Sequence, residues 1–275
     1  MTPEGLWRTA PGIPPTAERA ATPAGGELMS TALPLSDPSA PAPLHAAVRR
    51  PVAPWWHTAL LAALFLGLAA GGAAFQKAAG AHPGLAQRPP QVVQIYLSML
   101  IAEWGLLLYV WRAGLRRGST TLTALIGGRW SSWRDFVRDL GLAVVLCAGA
   151  MIVMSGVERL LGHGHEASIE GFLPRHALEV TLWVLLSLSA GFVEEVVFRG
   201  YFQRQFEAWT RSPLLALLLQ AALFAVSHGY QGARACSKIA VFGVLYGLVA
   251  LWRRSLRPGM IAHALTDIVG GIVRI

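Results

Sequence analysis

Seven residues in the second half of the chain combine types and spacings that suit acid–base chemistry. Glu194 and Glu195 are adjacent in an apolar run, and Arg199 follows four residues after Glu195. At that i, i+4 spacing Glu195 and Arg199 share a helix face and neutralise one another. Glu194 points about 100° away from them and is free to act. Phe224 and His228 repeat the i, i+4 spacing in the next run, and His263 and Asp267 repeat it in the last. Two imidazoles and the carboxylates form an inventory for activating water and stabilising an oxyanion. The plain alternative is a buried ion-pair network and hydrogen-bonded helix pairs with structural tasks alone.

These residues need elements that hold them at one level. If the turn between their runs centres near Arg211, Glu194 lies 17 residues before it and His228 17 residues after it. An antiparallel hairpin would then set the two side by side. Apolar runs fall at about 56–76, 92–112, 136–156, 178–206, 213–230, 235–252 and 258–275, and a helix needs about 20 residues to cross the hydrocarbon core. The expected fold is therefore all-α, a polytopic transmembrane bundle of about seven helices. Residues 1–54 hold 11 of the 17 prolines and show no apolar periodicity, so they are expected to be a disordered tail. The expected organisation is this tail, two helices with a basic loop over 55–135, and a catalytic helical core over 136–275.

Composition agrees with a membrane setting. Hydrophobic residues make up 54% of the chain and charged ones 14%, with a net charge of +8, against about 45–50% and about 25% in soluble domains. The excess of arginine excludes little by itself, because cytoplasmic loops of membrane proteins collect Lys and Arg. Arg112, Arg116, Arg117, Arg129, Arg134 and Arg138 mark the densest such loop. Alternation puts Arg49, Arg50, Arg204–Arg211 and Arg253–Arg257 on its side, with the N-terminus cytoplasmic. Nucleic acid is not an expected partner. Cys147 and Cys236 have no CxxC partner, HExxH and GxSxG are absent, and His163, His165 and Glu166 read as a solvated loop. Glu103 is expected to make a helix-to-helix hydrogen bond, and Gly243 and Gly247 a close helix contact.

The three clusters resemble the motifs of the CAAX protease and bacteriocin-processing (Abi) family, which contains the type II CAAX prenyl endopeptidases. EExxxR corresponds to Glu194–Arg199, FxxxH to Phe224–His228, and HxxxN or HxxxD to His263–Asp267. The resemblance covers about residues 136–275. It implies a glutamate-dependent intramembrane endopeptidase of a bacterial inner membrane, acting on lipidated C-terminal segments, sorting segments or leader peptides. By carry-over Glu194 is the general base with His228, His263 and Asp267 bind the oxyanion or orient the group that does, and Glu195, Arg199 and Phe224 support them. Asp267 departs from the asparagine of the prenyl-endopeptidase branch; an ionised Asp cannot donate to an oxyanion, so it would be protonated, orient His263 or ligate a metal. No cofactor is expected; were Zn²⁺ required, Glu194, His228 and His263 would be its ligands. The competing readings are a non-proteolytic immunity or scaffold protein of the same fold and a transporter relaying protons through Glu103, Glu194 and the histidines.

Overall fold

The computed structural model describes residues 50–118, 120–162 and 172–273 except 82–90. The tail expected over 1–54 therefore lies mostly outside the described residues, as do His163, His165 and Glu166. Among the described residues there is no strand. The helices are α1 (Trp55–Ala81), α2 (Val92–Tyr109), a short α3 (Leu122–Ile126), α4 (Trp133–Leu161), α5 (Ala177–Glu194), α6 (Gln203–Thr210), α7 (Pro213–Ser227), α8 (Ala233–Arg253) and α9 (Arg257–Val273). A π-helical segment, Glu195–Phe202, joins α5 to α6 without a break.

Among the described residues five stretches are long and apolar enough to cross a membrane: Trp55–Ala74, Val92–Arg117, Trp133–Leu161, Ala177–Thr210 and Ala233–Arg253. The expectation of about seven helices holds in number, but two are shorter than a span. α7 has 15 residues and α9 has 17, and at 1.5 Å per residue they reach about 22–26 Å where the hydrocarbon needs about 30 Å. α9 carries His263 and Asp267, and His228 caps the C-terminal end of α7.

Local chemistry sets the ends. Arg211 adopts the left-handed conformation with φ 56°, and Ser212 caps α7 by accepting from Leu215 N at 3.2 Å, with Pro213 at the first helical position. The turn expected near Arg211 is thus where the α6–α7 hairpin closes. Ser132 caps α4 through Asp135 N at 3.2 Å. Val52 and Ala53, expected in the tail, are instead 3% exposed, and both amides donate to Gln205 Oε1 at 2.8 and 3.2 Å. A buried glutamine amide satisfies backbone groups that composition alone assigns to a loose tail.

Glycine and alanine bring the central helices close. A Cβ on Gly191 would lie 2.7 Å from Met260 O, so α5 and α9 touch backbone to backbone. A Cβ on Gly243 would lie 2.9 Å from Ala221 Cα, and Gln220 and Gln203 donate to the carbonyls of Gly243 and Gly247. Gly243 and Gly247 thus make the expected close contact, here between α7 and α8. The core formed in this way runs through Val193, Val196, Phe198, Phe202, Phe224, Phe242 and Tyr246.

Candidate active site

The π segment places the first motif. All eight of its residues are buried, which no amphipathic 3.6-residue repeat predicts. A π turn offsets the register of the residues after it and recurs at functional sites. Within it Glu195 Oε1 lies 3.1 Å from Arg199 Nη1, with both side chains 0% exposed, so the expected pair forms. It is a charge contact and not a hydrogen bond, since no N–H of the guanidinium is aimed at an acceptor among the described residues. Arg199 is held instead by aromatic faces, with Cζ 4.3 Å from the Phe224 ring centre, 5.7 Å from Phe242 and 5.8 Å from Tyr246.

α9 supplies the centre of the cluster. His263 Nδ1 lies 3.0 Å from Glu195 Oε1, a hydrogen bond that ties α9 to the π segment. Its Nε2 faces Glu194 Oε2 at 3.7 Å and Asp267 Oδ2 at 3.6 Å. Both separations exceed a hydrogen bond, so Nε2 lies between two carboxylates without being closed off by either. Glu194 and Asp267 are 24% and 36% exposed at the side chain, against 5% for His263. The cluster therefore opens outward on the Glu194 and Asp267 side, while Glu195 and Arg199 close it from within.

His228 stands at the C-terminal end of α7. Its Nδ1 lies 2.9 Å from Phe224 O and 3.2 Å from Ser227 Oγ. Donation from Nδ1 to the carbonyl leaves Nε2 as the basic nitrogen. Among the described residues His228 makes no hydrogen bond or ion pair with a carboxylate; it packs on Phe224, whose ring centre is 4.8 Å from the His228 ring and 6.3 Å from the His263 ring. Phe224 thus separates the imidazoles and roofs the guanidinium.

Several neighbours escape a motif reading. Trp183 Nε1 donates to Asp267 O at 3.0 Å, and Gly271 leaves room for its indole. Tyr246 OH and Thr266 Oγ1 are 3.1 Å apart. Ser189 donates to Glu103 Oε2 at 2.5 Å, the helix-to-helix hydrogen bond expected of Glu103. A tryptophan or a carboxylate inside an apolar run is the only sequence signal these give, since each must find a polar partner.

The alternative metal set does not assemble. Among the described residues no three His, Cys, Asp or Glu side chains form a group that could hold an ion, so Glu194, His228 and His263 do not fit Zn²⁺ together. The two cysteines are free thiols.

Comparison with known proteins adds one match. Residues 176–269 match the family model described as Type II CAAX prenyl endopeptidase Rce1-like. No curated protein and no solved structure matches the chain. The matched segment begins at the start of α5 and ends in α9, and it contains all three motifs. At the level of the family it implies a CAAX-type intramembrane endopeptidase, and the five span-length helices agree with a multi-pass integral membrane protein. Residues 176–269, about a third of the chain, are thus similar to the Rce1-like type II CAAX prenyl endopeptidases, and the three motifs fall within that similarity.

Proposed function

We propose that the protein hydrolyses peptide bonds of membrane-associated proteins or peptides with a water activated by Glu194 and His228. The observation that carries this reading is the position of His263 Nε2, 3.7 Å from Glu194 and 3.6 Å from Asp267 on the open side of the cluster. A proton on that nitrogen has no hydrogen-bond acceptor and can be given to a substrate carbonyl oxygen entering between the carboxylates. Glu195 accepts from Nδ1 and holds the ring in place.

Glu194 takes a proton from the water while the water oxygen bonds to the scissile carbonyl carbon. The carbonyl oxygen becomes an oxyanion facing His263 Nε2–H. The proton held by Glu194 passes to the amide nitrogen, the C–N bond breaks, and carboxylic acid and amine leave. His228 Nε2 accepts from the same water and sets its direction. Asp267 acts through His263, whose Nε2 it faces at 3.6 Å. Arg199 offsets the Glu195 charge within the bundle, and substrates are segments that reach the bilayer: lipidated or sorting C-termini, or leader peptides. The arginine-rich loops support a cytoplasmic N-terminus.

The test compares terminal peptides in the membrane proteomes of cells carrying wild type, Glu194→Ala or His228→Ala. A terminus present with wild type and lost with both variants, at equal membrane levels of the protein, is the expected result. Unchanged processing by both variants overturns the proposal.

A further inference from the structure

A second cluster of buried charge lies where α8 turns into α9, away from the three motifs. Asp139 on α4 is fully buried, and two guanidiniums converge on it. Arg253 Nη2 pairs with its Oδ1, and Arg257 Nε lies 3.2 Å from its Oδ2. Trp130 Nε1 donates to the same Oδ2 at 3.0 Å, and its ring lies under Arg257 at 5.2 Å. One carboxylate therefore answers two cations. Arg253 Nε and Arg257 Nη1 are buried with no acceptor among the described residues, so both cations keep donors that Asp139 does not engage. Asp135, one turn before Asp139 on α4, interacts with Arg138 and Arg257, so Arg138, Arg253, Arg254 and Arg257 face two carboxylates and keep an excess of two positive charges. Arg138 and Arg254, next in sequence to Asp139 and Arg253, are both exposed.

An apolar groove leads to this point. It lies between α4 and α8, has a volume of about 310 Å³ and is lined by Leu142, Val145, Gly149 and Val153 on one side and Val249 and Trp252 on the other. On α4 the sequence Arg138, Leu142, Val145, Gly149, Val153 follows the spacing of one helix face, so Arg138 stands one turn beyond the groove's end. On α8 Trp252 immediately precedes Arg253 and is 70% exposed, as suits the membrane interface. Gly149 makes room here: a Cβ added to it meets nothing within 4 Å.

We propose that this groove and the α8–α9 turn bind one anionic phospholipid. An acyl chain lies along the groove, and the phosphate faces the excess positive charge, with Arg138 and Arg254 at the rim. A zwitterionic lipid fits the groove equally well but offers no net negative charge to the turn. The site therefore selects by headgroup and not by chain. Arg257 opens α9, the helix that carries His263 and Asp267, so the bound lipid ties down the turn from which that helix starts.

The experiment uses the full chain in phosphatidylcholine nanodiscs containing either brominated phosphatidylglycerol or brominated phosphatidylcholine at equal mole fraction. Quenching of Trp252 is read as the difference between the wild type and Trp252→Phe. The brominated anionic lipid is expected to quench at a mole fraction lower by about fivefold for each rim arginine engaged. Arg138→Ala with Arg254→Ala should bring it to the level of the zwitterionic lipid, and Gly149→Leu, which fills the groove, should reduce quenching by both. Equal quenching by the two lipids in wild type overturns the proposal, as does a preference that survives the double arginine variant. Displacement of the brominated anionic lipid by inorganic phosphate overturns it too, because it assigns the turn to a free anion.

Discussion

The His263 cluster and the Asp139 cluster are both buried knots of charge at helix contacts, and they differ in sign. Around His263 three carboxylates meet one imidazole and one guanidinium, and acceptors are in surplus, with Glu195 Oε2 left without a partner among the described residues. Around Asp139 two guanidiniums meet one carboxylate, and donors are in surplus. A surplus of acceptors suits taking protons from water; a surplus of donors suits holding an anion. The clusters also differ in access. Glu194 and Asp267 are 24% and 36% exposed, whereas the Asp139 side chain is 0% exposed and both arginines are 12% exposed. Burying a charge is costly unless it is paired, so in each cluster the ligand is met by the more exposed neighbours of the buried pair, Glu194 and Asp267 in one and Arg138 and Arg254 in the other.

The largest effect should come from removing the base. Glu194→Ala or His228→Ala is expected to slow processing by about 10²–10⁴-fold, the usual share of a positioned acid or base, measured as the rate at which a new terminus appears. The same change should leave phosphatidylglycerol quenching of Trp252 unaltered. The two clusters separate again when the buried carboxylate of each is removed. Glu195→Ala and Asp139→Ala should each destabilise the protein by about 3–5 kcal/mol by stranding a guanidinium, measured by unfolding in detergent. Activity per folded molecule should fall with Glu195→Ala and persist with Asp139→Ala; an equal loss in both would erase the distinction between the clusters. Gly191→Ala, which forces a methyl against the Met260 carbonyl, should cost about 1–3 kcal/mol and lower activity by moving α9 from α5. The smallest effect belongs to Tyr201→Phe. It removes a hydroxyl 2.7 Å from both His57 Nδ1 and Thr58 Oγ1 and should cost about 1 kcal/mol, seen as a lower unfolding temperature with the Asp139 cluster undisturbed.

Much of the site is legible along the chain. The i, i+4 pairing of Glu195 with Arg199 and the turn at Arg211 follow from helical spacing and from the polarity of one short stretch. Two features resist for a common reason. The π segment is buried on every side, Glu195 and Arg199 included, because other helices cover it, and nothing along the chain announces that cover. Asp139 looks in sequence like one more charge beside a basic loop, because nothing local says that Arg253 and Arg257 return from more than a hundred residues away.

The sequence by itself determined the membrane class, the positions of the long helices and the three polar clusters, because hydropathy and helix faces are properties of near neighbours along the chain. Tertiary structure alone decided that His263 stands among Glu194, Glu195 and Asp267, that Phe224 separates it from His228, and that two of the helices fall short of a full span. Those outcomes rest on how closely α5, α7, α8 and α9 approach one another. That approach is set by the side chain missing at Gly191, Gly243 and Gly259 and by what the opposite helix places in the space.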